Sequence, residues 1–392
     1  MMRHFSAHYI FTNSGPPLKR GIITTGDDGT ILNVEETSGA LRERSSLEFH
    51  NGIIVPGFVN CHTHLELSDL KGRIAVKNGL SDFIKQLQAG RRGSPEQIHT
   101  SIRSADNEMF REGIVLCGDI CNTTASFPVK KESRISYVNF LEVFGTDPLT
   151  ARDRMDEAEP VMRIAASADM PFYMVPHSVY SVSLPMFRLL RDKSKNNKVT
   201  TIHFMETPGE RDFIENRRGP LMTLYREAGI TAPHGAFVPD HIDAVLREVT
   251  PSGNLILVHN TFADRTTVRG VMERSNLFWC LCPNSNLFIE KSLPPLTLLA
   301  GEGCQIVTGT DSLASNSRLS ILDELKTLQN HFPQFTLEEM IRWATINGAR
   351  ALGEEERFGR IEPGTRPGLL LIGDADLANM RLTDESRIVR LI

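Results

Sequence analysis

His62 and His64 stand just past the end of one apolar run. His203 closes another and is followed three residues later by Glu206, His259 closes a third, and Asp311 stands just past a fourth. Two histidines two positions apart in a strand project to the same side and can share an ion. Imidazole nitrogens with a carboxylate oxygen suit Zn²⁺ or Fe²⁺. His62, His64, His203 and Asp311 would surround one divalent ion and leave an open position for water, whose pKa such an ion lowers. Glu206 is spaced to carry a proton from that water to a ring nitrogen or a leaving group. His259 could orient the water, and Asp311 could accept its proton. Taken singly, each has an ordinary explanation, since strand-end histidines pack and an Asp after an apolar strand often caps a helix. Together they occupy four strand ends on one rim.

The elements that must carry these residues follow from the alternation of short apolar runs with longer amphipathic stretches. The runs are Ile53–Val59, Ile114–Ile120, Ile135–Phe144, Pro171–Pro176, Val199–Phe204, Asn254–His259, Leu277–Cys282 and Cys304–Gly309. Helical patterns lie between them, among them 81–88, 94–111, 151–166 and 185–193. Eight such units fit a (β/α)8 TIM barrel, whose active sites lie at the C-terminal ends of the strands. An open doubly wound sheet is the alternative, but no G-x-G-x-x-G follows an early strand. Thr336 begins a capping box for a helix reaching about Leu352. Residues 1–56 and 358–392 have strand-and-turn character and are expected to form together a small β-sandwich domain beside a barrel of residues 57–357.

Composition narrows the classes. The chain has 392 residues, 40% of them hydrophobic and 23% charged, which excludes a disordered, collagen-like or coiled-coil chain. A net charge of −5 gives no general attraction to nucleic acid or anionic lipid, and the basic run Lys130-Lys131 near Arg134 is too short to alter that. No apolar run reaches the roughly 20 residues of a membrane helix. The first residues hold Arg3, His4 and His8 and no apolar signal core, so a cytoplasmic setting is expected. The six cysteines form no C-x-x-C pair and read as reduced thiols, buried except for Cys121.

With these residues in hand, the chain resembles the amidohydrolase superfamily. The matching stretches are Pro56–Glu66, His203–Thr207, Leu257–Asn260, Cys282–Asn286 and Gly309–Ser312. The resemblance implies that His62, His64, His203 and Asp311 bind the metal and that Glu206 and His259 transfer protons and orient water. Two-metal members carry a carboxylated lysine on the fourth strand; Pro171–His177 has none, which implies the one-metal branch, rich in ring deaminases. Glu142 on the third strand is the one carboxylate that could bridge a second ion, and is otherwise placed on the substrate side. Pro176–Ser183 is similar to the corresponding loop of deaminases of 5′-substituted adenosines, where the match to His177 faces the nucleoside. The stretches His62–Ser68 and Val258–Thr261 lean toward aminodeoxyfutalosine deaminases of menaquinone synthesis.

The resemblance therefore implies a hydrolase of C–N bonds that removes the 6-amino group of such an adenosine. S-adenosylhomocysteine, methylthioadenosine or guanine deamination, and triazine-type chloro- or amide hydrolysis on the same scaffold, are the alternatives. Glu66, Glu142, His177 and Asn286 are expected near the substrate, and Arg91, Arg92 or Arg318 would meet a substrate carboxylate. A small molecule is the expected partner, with a homodimer open. His64-Leu65-Glu66 also spells the H-x-E of cytidine-deaminase-like zinc enzymes, but their P-C-x-x-C is missing. A non-catalytic binding protein would show a broken donor set.

Overall fold

A computed structural model describes residues 2–392 apart from 42–44, 76–77, 91–92, 168–169, 231–235 and 250–251. Strands β1 (Arg3–Ile10), β2 (Leu18–Lys19), β3 (Ile22–Thr25), β4 (Ile31–Glu35) and β5 (Leu47–Pro56) come first. Eight further strands follow: β6 (Phe58–Thr63), β7 (Ile114–Cys121), β8 (Ser136–Val143), β9 (Phe172–Pro176), β10 (Val199–Phe204), β11 (Asn254–His259), β12 (Leu277–Leu281) and β13 (Gln305–Thr308). Strands β14 (Leu369–Gly373) and β15 (Arg387–Arg390) end the chain.

Strands β6 to β9 form one parallel four-stranded ladder and β10 to β13 another. The two halves meet at single bridges, Ser178 with His203 and Thr63 with Asp311. At these seams the His203 amide donates to the His177 carbonyl at 2.9 Å, and the Asp311 amide donates to that of His62 at 3.0 Å. The result is a TIM-type barrel. Its interior obeys the two-residue alternation of a strand. Val138 and Phe140, Val175, Val199, Ile256 and Val258, Phe278 and Cys280, and Val307 form one buried cluster, closed by Ala349, Leu352 and Phe358. The intervening Ile202, Phe204, Leu255, Leu257, Trp279 and Ile306 pack with the surrounding helices. Asn254, first residue of β11, donates to the carbonyls of Arg350 and Ala351, so that closure lies at the N-terminal end. Extending the inward rows in the other direction reaches Glu142, His177, His203 and Asp311.

The terminal segments join in one sheet of order β15-β14-β5-β1-β3-β4, with β2 on β1. The expected sandwich is realised as this single continuously bonded sheet, with Phe5, Ile23, Ile54, Ile361 and Leu369 in its core. The apolar run Ile53–Val59, read as one strand, divides at Gly57: β5 pairs with β1 and β14, and β6 pairs with β7. A Cβ on Gly57 would lie 2.3 Å from Val115 Cγ1 and 2.6 Å from the Pro367 carbonyl oxygen, so only glycine fits where the sheet passes into the barrel. The capping box at Thr336 forms, but its helix stops at Trp343 and a second one covers Ile346–Ala351. The break is Thr345, which leaves helical geometry while its hydroxyl accepts from Asn13 Nδ2 at 2.8 Å. Cys121, expected outside the core, is buried beside Lys130, whose side chain is also fully buried against Asp119. No described helix is long and apolar enough to cross a membrane.

Gly57→Ala is expected to destabilise the protein by about 1–3 kcal/mol through overpacking. Gly15→Ala, with nothing within 4 Å of the added Cβ, serves as the control. Chemical denaturation compares the two, and equal stabilities would contradict the account of Gly57.

Candidate active site

Strand register brings His203 to the mouth of the barrel, and irregular backbone brings the others. The β6–β7 pairing slips between Asn60 and Thr63, so the segment bearing His62 leaves the regular alternation. His259 follows the inward Val258 directly and turns in with φ +74°; Asn260, Met205 and Asp311 also have positive φ, at 57°, 49° and 55°. Such conformations are uncommon outside glycine and persist where the surroundings enforce them. Asn60 is one such constraint: its Nδ2 donates to Thr310 Oγ1 at 2.8 Å and its Oδ1 accepts the Thr310 amide at 3.1 Å. Gly309 leaves room for the contact, since a Cβ there would lie 2.9 Å from His62 Cβ.

Four donors converge. His62 Nε2 and His64 Nε2 are 3.1 Å apart and lie 3.7 and 3.5 Å from Asp311 Oδ1. The His203 ring is 4.9 Å from that of His62 and 5.5 Å from that of His64. His62, His64 and His203 can each point a ligand atom at one place. His203 Nδ1 donates to the His177 carbonyl at 2.8 Å, which leaves Nε2 with the lone pair facing the cluster. Asp311 Oδ2 accepts the hydroxyls of Ser285 and Ser315 at 2.5 and 2.7 Å, leaving Oδ1 for the same point. Burial and mutual repulsion hold the imidazoles uncharged, with His64 and His259 pushed down to about 3 and His62 and His203 also lowered. Burial opposes ionisation of Asp311, but the adjoining His64 and His259 and the two hydroxyls hold it below the usual carboxylate value. Neutral imidazoles beside an ionised carboxylate are the donor set a divalent cation requires.

Glu206 lies on the rim beside His259, with 3.5 Å between its Oε2 and His259 Nε2. Burial, reinforced by the charge of Glu210 and only partly offset by a hydrogen bond from Tyr180, raises its carboxyl well above the ordinary carboxylate range. Glu210 in turn accepts the amides of Met205 and Glu206 at 3.2 and 3.0 Å and pairs with His241 at 2.9 Å. His177, lowered by burial to about 4, stacks on His203 with centroids 4.6 Å apart. Glu142 Oε1 is 3.4 Å from His203 Nδ1, and Glu142, His177 and His203 form a second donor group. That group shares His203, whose Nδ1 has already given its hydrogen to a carbonyl, so an ion there would compete for the remaining nitrogen.

The other residues expected near the substrate have the following partners. Asn286 lies behind His259, donating from Nδ2 to its Nδ1 at 3.2 Å and to Thr261 at 2.7 Å, and so it orients that ring. Glu66 accepts the amides of Asn122 and Thr123 at 3.2 and 3.0 Å and braces the loop after β7. Arg318, expected as a contact for a substrate carboxylate, pairs here with Glu108, Glu112 and Asp323. Arg91 and Arg92 lie outside the described residues. Sequence reasoning missed Ser285, Ser315, Glu210 and Tyr180. Tyr180 and Ser285 sit within quoted stretches and Glu210 three residues past one, but only the folded geometry shows what they hold.

Comparison with known proteins gives the same architecture. The chain is 25% identical over 354 residues to an adenosine deaminase of Helicobacter pylori, covering 88% of this chain and 83% of that one. It is 26% identical over 319 residues to a 5-methylthioadenosine/S-adenosylhomocysteine deaminase of Thermococcus onnurineus, covering 77% and 70%. The crystal structure of Helicobacter pylori aminofutalosine deaminase with methylthio-coformycin superposes with a TM-score of 0.78 at 22% identity, over 95% of this chain and 93% of that one. The amidohydrolase family pattern matches residues 53–390, and the chain belongs to that family.

Proposed function

We propose that this protein is a hydrolytic deaminase that removes the 6-amino group of a 5′-substituted adenosine, with aminodeoxyfutalosine favoured. The observation that carries the reading is Glu206: a buried carboxyl, raised in pKa by that burial, on the same rim as the four converging donors and 3.5 Å from His259 Nε2. Nucleoside deaminases among the relatives support it. His62, His64, His203 and Asp311 would hold one divalent ion, for which three imidazoles and a carboxylate favour zinc. When bound, such an ion supplies Lewis acidity toward water. Menaquinone synthesis and a cytoplasmic setting belong to the same reading.

The side chains divide the proton work. Glu206 gives its proton to ring N1, which makes C6 electron-poor. Asn286 donates to His259 Nδ1, so the ring's own hydrogen sits on Nε2 and can hold the attacking water oxygen. Asp311 Oδ1 takes a proton from that water as its oxygen bonds to C6, and returns it to the departing amino group. Glu206, now ionised, takes the proton of the new C6 hydroxyl as the carbonyl forms. Ammonia and the inosine-type ring result, and both carboxyl groups are back in their starting states.

Ammonia release should be measured across aminodeoxyfutalosine, S-adenosylhomocysteine, methylthioadenosine, adenosine and guanine. Turnover of 5′-substituted adenosines ahead of guanine is expected; no turnover of any aminopurine would overturn the reading. Glu206→Gln is expected to lower kcat/KM by about 10²- to 10⁴-fold with bound metal unchanged. Activity within about threefold of the parent would show that another group carries the proton.

A further inference from the structure

Tyr180 stands in the loop after β9 and is 2% exposed. Its phenol O–H donates to Glu206 Oε1. The other carboxyl oxygen, Oε2, is the one facing His259 Nε2 at 3.5 Å. The loop that carries the phenol is itself held: the Tyr180 carbonyl accepts the Tyr225 hydroxyl at 3.0 Å, and Ser178 Oγ accepts the Ser181 amide at 3.1 Å. Ser181 Oγ lies 2.8 Å from His177 Nδ1, so this segment fixes His177 and Tyr180 together.

A carboxylic acid has two oxygens and a rotatable bond, and a ring nitrogen can take a proton only from the oxygen that faces it. Glu210 anchors the main chain of Glu206 through its amide but does not restrain the carboxyl end. The phenol does. With Oε1 accepting a hydrogen bond, the acid's own hydrogen resides on Oε2, toward the barrel mouth. We propose that Tyr180 is a positioning residue that assigns the proton of Glu206 to Oε2 and holds that oxygen toward the substrate ring. This rests on the proton-transfer role given to Glu206 above. Tyr180 gains and loses no proton in the cycle; it keeps the same acceptor when Oε2 gives its proton to the ring and when Oε2 recovers one.

A double-mutant cycle on the metal-loaded enzyme tests this, with kcat and KM measured for Tyr180→Phe, Glu206→Gln and the pair. Tyr180→Phe is expected to lower kcat about 10- to 100-fold with KM within about threefold. In the Glu206→Gln background the same change should cost less than about twofold, because the group through which it acts is gone. A Tyr180→Phe enzyme within about twofold of the parent overturns the inference, as does a full additional loss in the Glu206→Gln background. Undiminished activity of Glu206→Gln alone overturns the role of Glu206 itself, which separates the two failures. Melting curves and metal content accompany each variant. If Tyr180→Phe does not accumulate, 3-fluorotyrosine at position 180 keeps the packing and strengthens the donor. A stronger donor favours the ionised carboxyl, so the alkaline limb of kcat should move to lower pH; an unmoved limb counts against the proposal.

Discussion

Two half-barrels meet here along two seams, and the groups able to bind a cation stand on those seams. Thr63 pairs with Asp311 on one side and Ser178 with His203 on the other. The main-chain bonds that close the barrel are therefore the same bonds that set the separation of His62 from Asp311 and of His177 from His203. A shift at either seam moves donors relative to each other. The constraint explains why the neighbourhood is crowded with small residues and paired amides such as Gly309, Asn60 and Thr310, and why strained main chain is tolerated at His259, Asn260 and Asp311.

The electrostatics follow from the same crowding. Four imidazoles, those of His62, His64, His203 and His259, are buried within a few ångströms of each other, and protonating any of them would add a charge without solvent to spread it. They stay neutral, while Asp311 stays ionised through two hydroxyl donors. Glu206, a short distance away, is pushed in the opposite direction by burial and by Glu210. One rim thus holds two carboxyl groups whose pKa values are pushed in opposite directions, the pattern that acid–base chemistry uses.

Much of this could be read from residue types and spacing, and the reasons differ by residue. His203 continues an inward row of period two, so the strand pattern exposes it. Asp311 lies beyond β13 on the same parity as Val307. His62 and His259 break the alternation and are legible because one closely follows an apolar run and the other closes one; their orientation depends on a bulge and on positive φ. Tyr180, Ser285, Ser315 and Glu210 act through contacts between distant segments and carry no local signature. The division of Ile53–Val59 at Gly57 was hidden because both halves are equally apolar. Lys130 read only as part of a short basic run, and the fold buries it against Asp119, which offers it a counter-charge. Arg318 read as a cation for a substrate carboxylate and has three carboxylate neighbours, Asp323 five residues on and Glu108 and Glu112 some two hundred residues back in the chain.

The convergence of donors is tested most directly by X-ray absorption at the metal edge of the purified protein, together with metal analysis of His203→Ala. One divalent ion per chain is expected, with three nitrogen ligands and one carboxylate oxygen at about 2.0–2.2 Å, and with that nitrogen set diminished in the variant. A protein that takes up no ion, or whose ion keeps its full ligand set without His203, would contradict the account.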